Sequence, residues 1–218
     1  MNAWVTTLGL VPDLLIAAVT TIKITLGGLL VALALGLFCA ILQSLQSGIL
    51  RVAVAIYVDV FRAVPVLTQL FIIYFGLTAI GIRLDPVPAA IVGFGINGGA
   101  YLTEAFRAGI GSVNHGQLEA AHMLGMTKLS TMRIIILPQA MRVVLPPLGN
   151  YAIGLLKDTA LASAVAAPEL MFRARILVDK TFLSTQIYLA VAILYLGMSL
   201  CLGQVTRWAE ARLAWTRK

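Results

Sequence analysis

Charged side chains are scarce in this sequence: Asp, Glu, Lys and Arg make up 11% of 218 residues, against 60% hydrophobic, and mean hydropathy is +0.96. That composition excludes a soluble domain, and several apolar runs approach the ~20 residues needed to span a bilayer. Cysteine is scarce too. Cys39 and Cys201 both fall inside apolar runs with no His or Cys beside them in sequence, so neither a disulfide nor a metal site is expected. A phosphate-binding string G-x-x-x-x-G-K-[ST] is missing, so no nucleotide site of that kind is expected in this chain. Residues 1–13 hold no Lys or Arg to form the basic region of a secretory leader, so the first span is expected to stay in the mature protein. Acidic residues are few: 9 against 16 Lys and Arg, giving a formal charge of +7. The basic residues are scattered singly between apolar runs rather than gathered on one polar face, which argues against nucleic acid and for membrane topology.

What is present is an all-helical pattern in one domain, residues 1–218. Apolar runs bounded by charge or turn residues predict five spans, at about Thr21–Leu42, Ala53–Leu77, Val87–Ala108, Gln139–Leu156 and Gln186–Trp208. An odd number puts the termini on opposite sides. Arg51, Arg62, Arg107, Lys128, Arg133, Arg142, Arg207, Arg212, Arg217 and Lys218 then share one side, and Arg83, Arg173, Arg175 and Lys180 the other. The positive-inside rule places the C-terminus in the cytoplasm and the N-terminus outside. Leu8–Ala18 reads either as an interfacial helix or as the start of a long tilted first span, with Asp13 and Lys23 reaching for the outer headgroups. Pro146 and Pro147 predict a kink in the fourth span, either lining a path or serving packing alone. Between the fourth and fifth spans, Thr159–Phe182 predicts an amphipathic helix on the outer surface, with Pro168 and Glu169 in its first turn.

The most distinctive stretch is polar. Residues 112–138 contain EAAHMLGMTKLSTMRIIILP (119–138) between the third and fourth spans, on the predicted cytoplasmic side. Gly125 stands where a helix C-cap would be, and Thr127 can cap a second short helix running to Leu137, where Pro138 breaks the pattern. Ala120 and Ala121 keep one side shallow, Leu118, Leu124 and Met126 supply apolar contact, and Gln117, Glu119, His122 and Lys128 form a polar rim. Together they read as a docking surface for another protein. The alternative is an ordinary amphipathic loop.

Elsewhere, ionisable groups at membrane depth are functional candidates because hydrocarbon penalises an unpaired charge. Asp59 with Arg62, and Glu104 with Arg107, are three residues apart and predict structural ion pairs near the inner span ends. Lys157 and Asp158 are adjacent, cannot share a helix face, and must find partners elsewhere. They are candidates to meet a zwitterionic solute, or else they pair with neighbouring helices. Asn150 and Gln69 complete the pathway candidates. Gly93, Gly95 and Gly98 spell G-x-G-x-x-G, but inside the third span, where close helix packing is the better reading than a dinucleotide site.

The spacing of Glu119, Ala120, Ala121, Gly125, Ile135, Leu137 and Pro138 resembles the EAA loop of bacterial ABC importer permeases. YVDVFRAVP (57–65), LTQLFIIYFG (67–76), AYLTEAFRAG (100–109), Gly116-Gln117 and Lys157-Asp158-Thr159 are similar to the polar amino acid branch, the histidine and glutamine type. Ala63-Val64 stands where that branch often has Gly-Thr, and Ala160 where it often has Ser. The resemblance implies that Gln117, Glu119, Ala120, Ala121, Gly125, Ile135, Leu137 and Pro138 dock a cytoplasmic ATP-binding subunit. It further implies two such ATPases, which would bind the ATP and Mg, a second permease subunit, identical or related, an extracytoplasmic solute-binding protein, and a polar amino acid or related zwitterionic solute moved across the inner membrane by alternating access. This chain would then be a translocation subunit with no cofactor of its own, not an enzyme. The competing readings are an ATP-independent secondary transporter, which predicts acidic pairs deep in the spans, and a membrane anchor for a cytoplasmic protein.

Overall fold

The computed structural model describes residues 3–45 and 47–214; Arg217 and Lys218, counted above on the C-terminal side, lie outside the described residues. Helix α1 (Ala3–Ser44) is one helix of 42 residues, ~63 Å at 1.5 Å per residue. Leu8–Ala18 is therefore the start of a long first span and no separate interfacial helix. Pro12 lies inside α1, in its apolar first third.

The second predicted span is not one helix. Helix α2 (Gly48–Ala63) stops at Val64, and the chain turns by 106° before α3 (Val66–Phe71), a π-helical turn (Ile72–Gly76) and α4 (Leu77–Ala79) continue as one rod. The cause is local. A proline disfavours the helical conformation in the residue before it, and Val64 is extended at φ −84° and ψ 132°. Hydropathy averaged over Ala53–Leu77 does not register a corner made by two residues.

Helix α5 (Pro86–Gly111) is the centre of the bundle, packed against α1, α2, α3 and α8. Its 26 residues are long enough to cross a bilayer. It is nonetheless less apolar than the other long helices: Trp4–Ser44, Lys128–Val165 and Ser184–Arg212 are the three apolar enough to cross by composition, or four segments if the bent pair counts as one. Helix α5 faces protein where those face lipid, so small residues replace large apolar ones. A Cβ on Gly99 would sit 2.6 Å from the Tyr57 hydroxyl, and one on Gly98 would collide with that of Tyr151. Both hydroxyls use this access, Tyr57 donating to Ile96 O (2.6 Å) and Tyr151 to Phe94 O (3.1 Å). The glycine string is thus a packing surface.

Past the polar segment, which comprises α6 (His115–Met123), α7 (Lys128–Thr131) and a π-helical turn (Met132–Ile136), helix α8 (Leu137–Asp158) runs through Pro146 and Pro147 as one helix. A 3-10 turn (Thr159–Val165) then leads to α9 (Leu170–Thr181) and α10 (Ser184–Ala214). Helix α9 is amphipathic as expected, with Arg175, Asp179 and Lys180 exposed on one face. Leu170, Ala174 and Leu177 are buried against Leu14 of α1 and Ile187 and Val191 of α10. Asp13, expected to reach headgroups, instead accepts from Arg173 Nη2 at 2.6 Å.

Contacts fix the helix directions. Gly28 of α1 meets Phe94 and Gly36 meets Leu102, so α1 and α5 are parallel. Gly98 against Tyr151 and Gly109 against Ala140 and Val144 make α8 antiparallel to α5, and Gly149 against Thr206 with Gly203 against Ile153 make α10 antiparallel to α8. The start of α1 and the end of α10 therefore lie at opposite ends of the bundle, with α10 finishing at the end that carries residues 112–138.

Candidate functional site: a docking segment and a polar cavity

The polar segment is fixed by its caps. The Asn114 side chain accepts the Gly116 N–H at 2.8 Å and starts α6. At the other end Gly125 takes φ +68°, its N–H reaching His122 O and the Met126 N–H reaching Ala121 O, both at 3.0 Å. This is a Schellman stop, and the positive φ is why glycine stands there. Thr127 Oγ1 accepts the Ser130 N–H at 3.2 Å and opens α7. The expected break at Pro138 does not occur. In the π-helical turn before it, the Leu137 N–H bonds Met132 O, five residues back. Wider spacing accommodates a proline ring that would crowd the carbonyl four residues earlier in an ordinary turn.

Three apolar side chains stand out from this segment: Met123 is 90% exposed, Leu124 81% and Leu129 78%. Met123 and Leu129 had escaped the sequence reading, while the expected contacts Leu118 and Met126 are half-buried. Gln117, Glu119, Ala120, His122 and Lys128 are exposed, but Ala121 is buried against its own chain, so only Ala120 offers a shallow outer surface. Ile135 is half-buried, and Leu137 and Pro138 are exposed at the start of α8. Gln139 Nε2 donates to Gln117 Oε1 at 2.5 Å and to Ile135 O at 3.0 Å, tying α6 to α8. A push on α6 therefore has a polar route into α8.

A polar cavity of ≈ 380 Å³ opens inside the corner between α2 and α3, closed by α5 and α8. Arg62, Pro65, Asn97, Tyr101, Tyr151 and Asp158 are among its lining residues. The Arg62 guanidinium lies over the Tyr101 ring, 5.3 Å from its centroid, and Tyr101 stacks on Tyr151 at 6.2 Å. Arg62 therefore does not form the expected pair with Asp59; an aromatic face holds it at the cavity wall. Of the adjacent charges ending α8, Asp158 lines the cavity and Lys157 does not, as a 100° step between helix neighbours requires.

Two pathway candidates sit elsewhere. Gln69 is 4% exposed and donates through Nε2 to Phe61 O (2.9 Å) and Val64 O (2.8 Å), carbonyls left over where α2 ends. Asn97 Nδ2 also bonds Phe61 O, at 2.8 Å. Gln69 is therefore a brace for the corner, and Asn150 is exposed away from the cavity. The Glu104–Arg107 pair forms as expected, at 2.5 Å, on an exposed helix face where such pairs contribute ~0–1 kcal/mol. Asn97, Tyr101 and Tyr151 were missed; polar groups inside apolar runs were the available signal.

Glu169, immediately before α9, is fully buried. It is the N-cap of α9, not part of its first turn: Oε2 accepts from the Met171 N–H (2.8 Å) and the Tyr195 hydroxyl (3.0 Å), and Oε1 from the Phe172 N–H (2.7 Å). Burial pushes its carboxyl up from the usual range, while these donors pull it back.

An all-helical membrane bundle with a broken span, a polar cavity and a capped apolar projection defines a membrane transport subunit. The sequence profile of the family described as "Binding-protein-dependent transport system inner membrane component" matches residues 32–215, and the chain belongs to that family. It is 37% identical over 209 residues to "Probable amino-acid ABC transporter permease protein PatM" of Vibrio harveyi, covering 94% of each chain. It is 34% identical over 205 residues to "Glutamine transport system permease protein GlnP" of Escherichia coli K12, covering 93% of this chain and 94% of that one. A solved structure titled "Crystal structure of an amino acid ABC transporter with histidines" matches with a TM-score of 0.89 at 32% identity, over 96% of this chain and 98% of that one. The MetNI methionine ABC transporter, in an inward-facing form, shares the fold at a TM-score of 0.70 and 20% identity, over 89% of this chain and 95% of that one. The chain is the permease subunit of an ABC importer, an inner-membrane translocation component whose ATP hydrolysis belongs to a separate subunit.

Proposed function

We propose that this chain carries a polar amino acid through the cavity at the α2–α3 corner, with its 112–138 segment docked on an ATPase subunit. The observation that carries the reading is chemical: Arg62 and Asp158 line one cavity with Tyr151 and Asn97. A cation and an anion on one wall complement the carboxylate and ammonium of a zwitterion, and ≈ 380 Å³ lies within the range of small-ligand pockets. The amino acid relatives support the substrate class. The partners are two ATP-binding subunits meeting Met123, Leu124 and Leu129, a second permease subunit, and a solute-binding protein on the opposite face. The end bearing residues 112–138 is cytoplasmic and the N-terminal end of α1 is outside, a reading supported by the excess of Lys and Arg on that side of the predicted spans.

In alternating access the two states must differ in contacts. ATP-driven closure moves α6, the Gln117–Gln139 bond passes the motion to α8, and Asp158 at the far end of α8 shifts against Arg62 at the corner. Uptake by the reconstituted complex tests this. Arg62→Gln and Asp158→Asn are each expected to lower uptake ~10-fold or more, the loss of a charge-assisted contact, with ATPase association intact. Lys157→Gln is expected to stay near the parental rate. Parental uptake by a normally assembled Asp158→Asn complex would remove the cavity from the pathway.

A further inference from the structure

A second cavity, of ≈ 520 Å³, lies at the end of the bundle that carries residues 112–138, between the last turn of α1, the first turns of α2 and the last turns of α5. Gln43, Ser44, Arg51, Glu104 and Arg107 supply its polar wall, and Ala40, Ala55 and Ile110 are among its apolar residues. It is separate from the corner cavity and shares no lining residue with it.

We infer that this cavity binds the headgroup of phosphatidylglycerol. Three features converge. First, the charges do not cancel: Arg107 is paired with Glu104, whereas Arg51 makes no ion pair among the described residues, leaving the wall with one excess positive charge. A phosphodiester monoanion neutralises it, and a guanidinium fork matches phosphate oxygens. Second, Gln43 Oε1 is shut off from solvent and accepts no hydrogen bond among the described residues. A buried acceptor without a donor is unfavourable by about 1–3 kcal/mol, and the terminal amide torsion is soft, so that oxygen turns readily to a donor in the cavity. Glycerol hydroxyls are such donors; a choline headgroup offers none. Third, the cavity opens beside lipid-facing apolar surface, with Ile41, Ile49 and Val52 exposed at the same helix ends. Acyl chains have a place to lie while the headgroup sits at interfacial depth.

Charge argues against the zwitterionic lipids. Phosphatidylethanolamine is neutral overall and leaves Arg51 uncompensated; phosphatidylcholine adds a second deficit, since it cannot satisfy Gln43. Free phosphate or glycerol phosphate shares the anion but lacks the chains.

The test uses the full permease complex in nanodiscs of phosphatidylcholine, titrated with phosphatidylglycerol, phosphatidylethanolamine or soluble glycerol phosphate. Bound lipid is counted by native mass spectrometry and stability by thermal unfolding. Phosphatidylglycerol is expected to bind and stabilise selectively. Arg51→Gln is expected to weaken it about tenfold, the loss of one charge-assisted bond, and Gln43→Leu to weaken it while stabilising the lipid-free protein. Arg83→Gln, at the other end of the bundle, is expected to change neither. Equal binding of all three lipids, or unchanged affinity in a folded Arg51→Gln complex, would overturn the assignment. Equal stabilisation by glycerol phosphate would overturn it in favour of a free anion.

Discussion

Gln69 at the broken span allows a sharp prediction. Its amide donates two hydrogen bonds, to Phe61 O at 2.9 Å and Val64 O at 2.8 Å, and the side chain is 4% exposed. In Gln69→Leu, Phe61 O keeps Asn97 as a donor, so that loss is about 1 kcal/mol, while Val64 O loses its side-chain donor at about 1–3 kcal/mol. Leucine gains little in return, because lipid is no worse a solvent for it than the protein interior. The sum is about 2–4 kcal/mol, or a fall of about 5–15 °C in the unfolding midpoint. Cys39 supplies the assay: it is buried and free, so in a Cys201→Ser background a thiol-reactive fluorophore reports unfolding in detergent. Gln69→Glu keeps the shape and replaces the donor with an acceptor facing two carbonyls, and is expected to be at least as damaging as leucine. If leucine is tolerated within about 0.5 kcal/mol while the corner stays closed, the corner is held by packing and the bracing account fails.

Two further predictions come from the core. Gly98→Ala drives a methyl into the Tyr151 hydroxyl, and losing its bond to Phe94 O plus overpacking is expected to destabilise by about 2–4 kcal/mol; a Tyr151→Phe background should recover part of this in a double-mutant cycle, and strict additivity would refute the contact. Burial raises Glu169, so the folded protein holds that proton more tightly than the unfolded chain. Its contribution is therefore full below the unfolded carboxyl value of 4.5 and is lost as pH rises through the folded value. Thermal unfolding should show that slope, and Glu169→Gln should flatten it while leaving a cap donor unsatisfied at about 1–3 kcal/mol.

Local rules carried over well from sequence to structure. Gly125, Thr127 and the Glu104–Arg107 pair were legible because caps and i,i+3 pairs depend on residues within one or two turns. The long helices were legible from hydropathy, apart from the corner at Pro65, which a span-length average hides. Arg62 was misassigned for a different reason: helical spacing offers Asp59, but the Tyr101 ring comes from α5, 39 residues on from Arg62, and only the fold brings it near. Glu169 shares that cause: it reads as part of a first turn, and the fold buries it beside Tyr195 of α10.

On the proposed reading, residues 112–138 couple a separate ATPase to movement through the corner cavity. Uptake of a polar amino acid into proteoliposomes containing the permease, its ATPase and its binding protein tests it directly, with Leu124→Asp and Glu119→Lys as variants. Uptake should require ATP, and both variants should lose ATPase association and uptake together while the permease remains folded. Uptake that continues without ATP, or at the parental rate with the ATPase detached, would contradict the account.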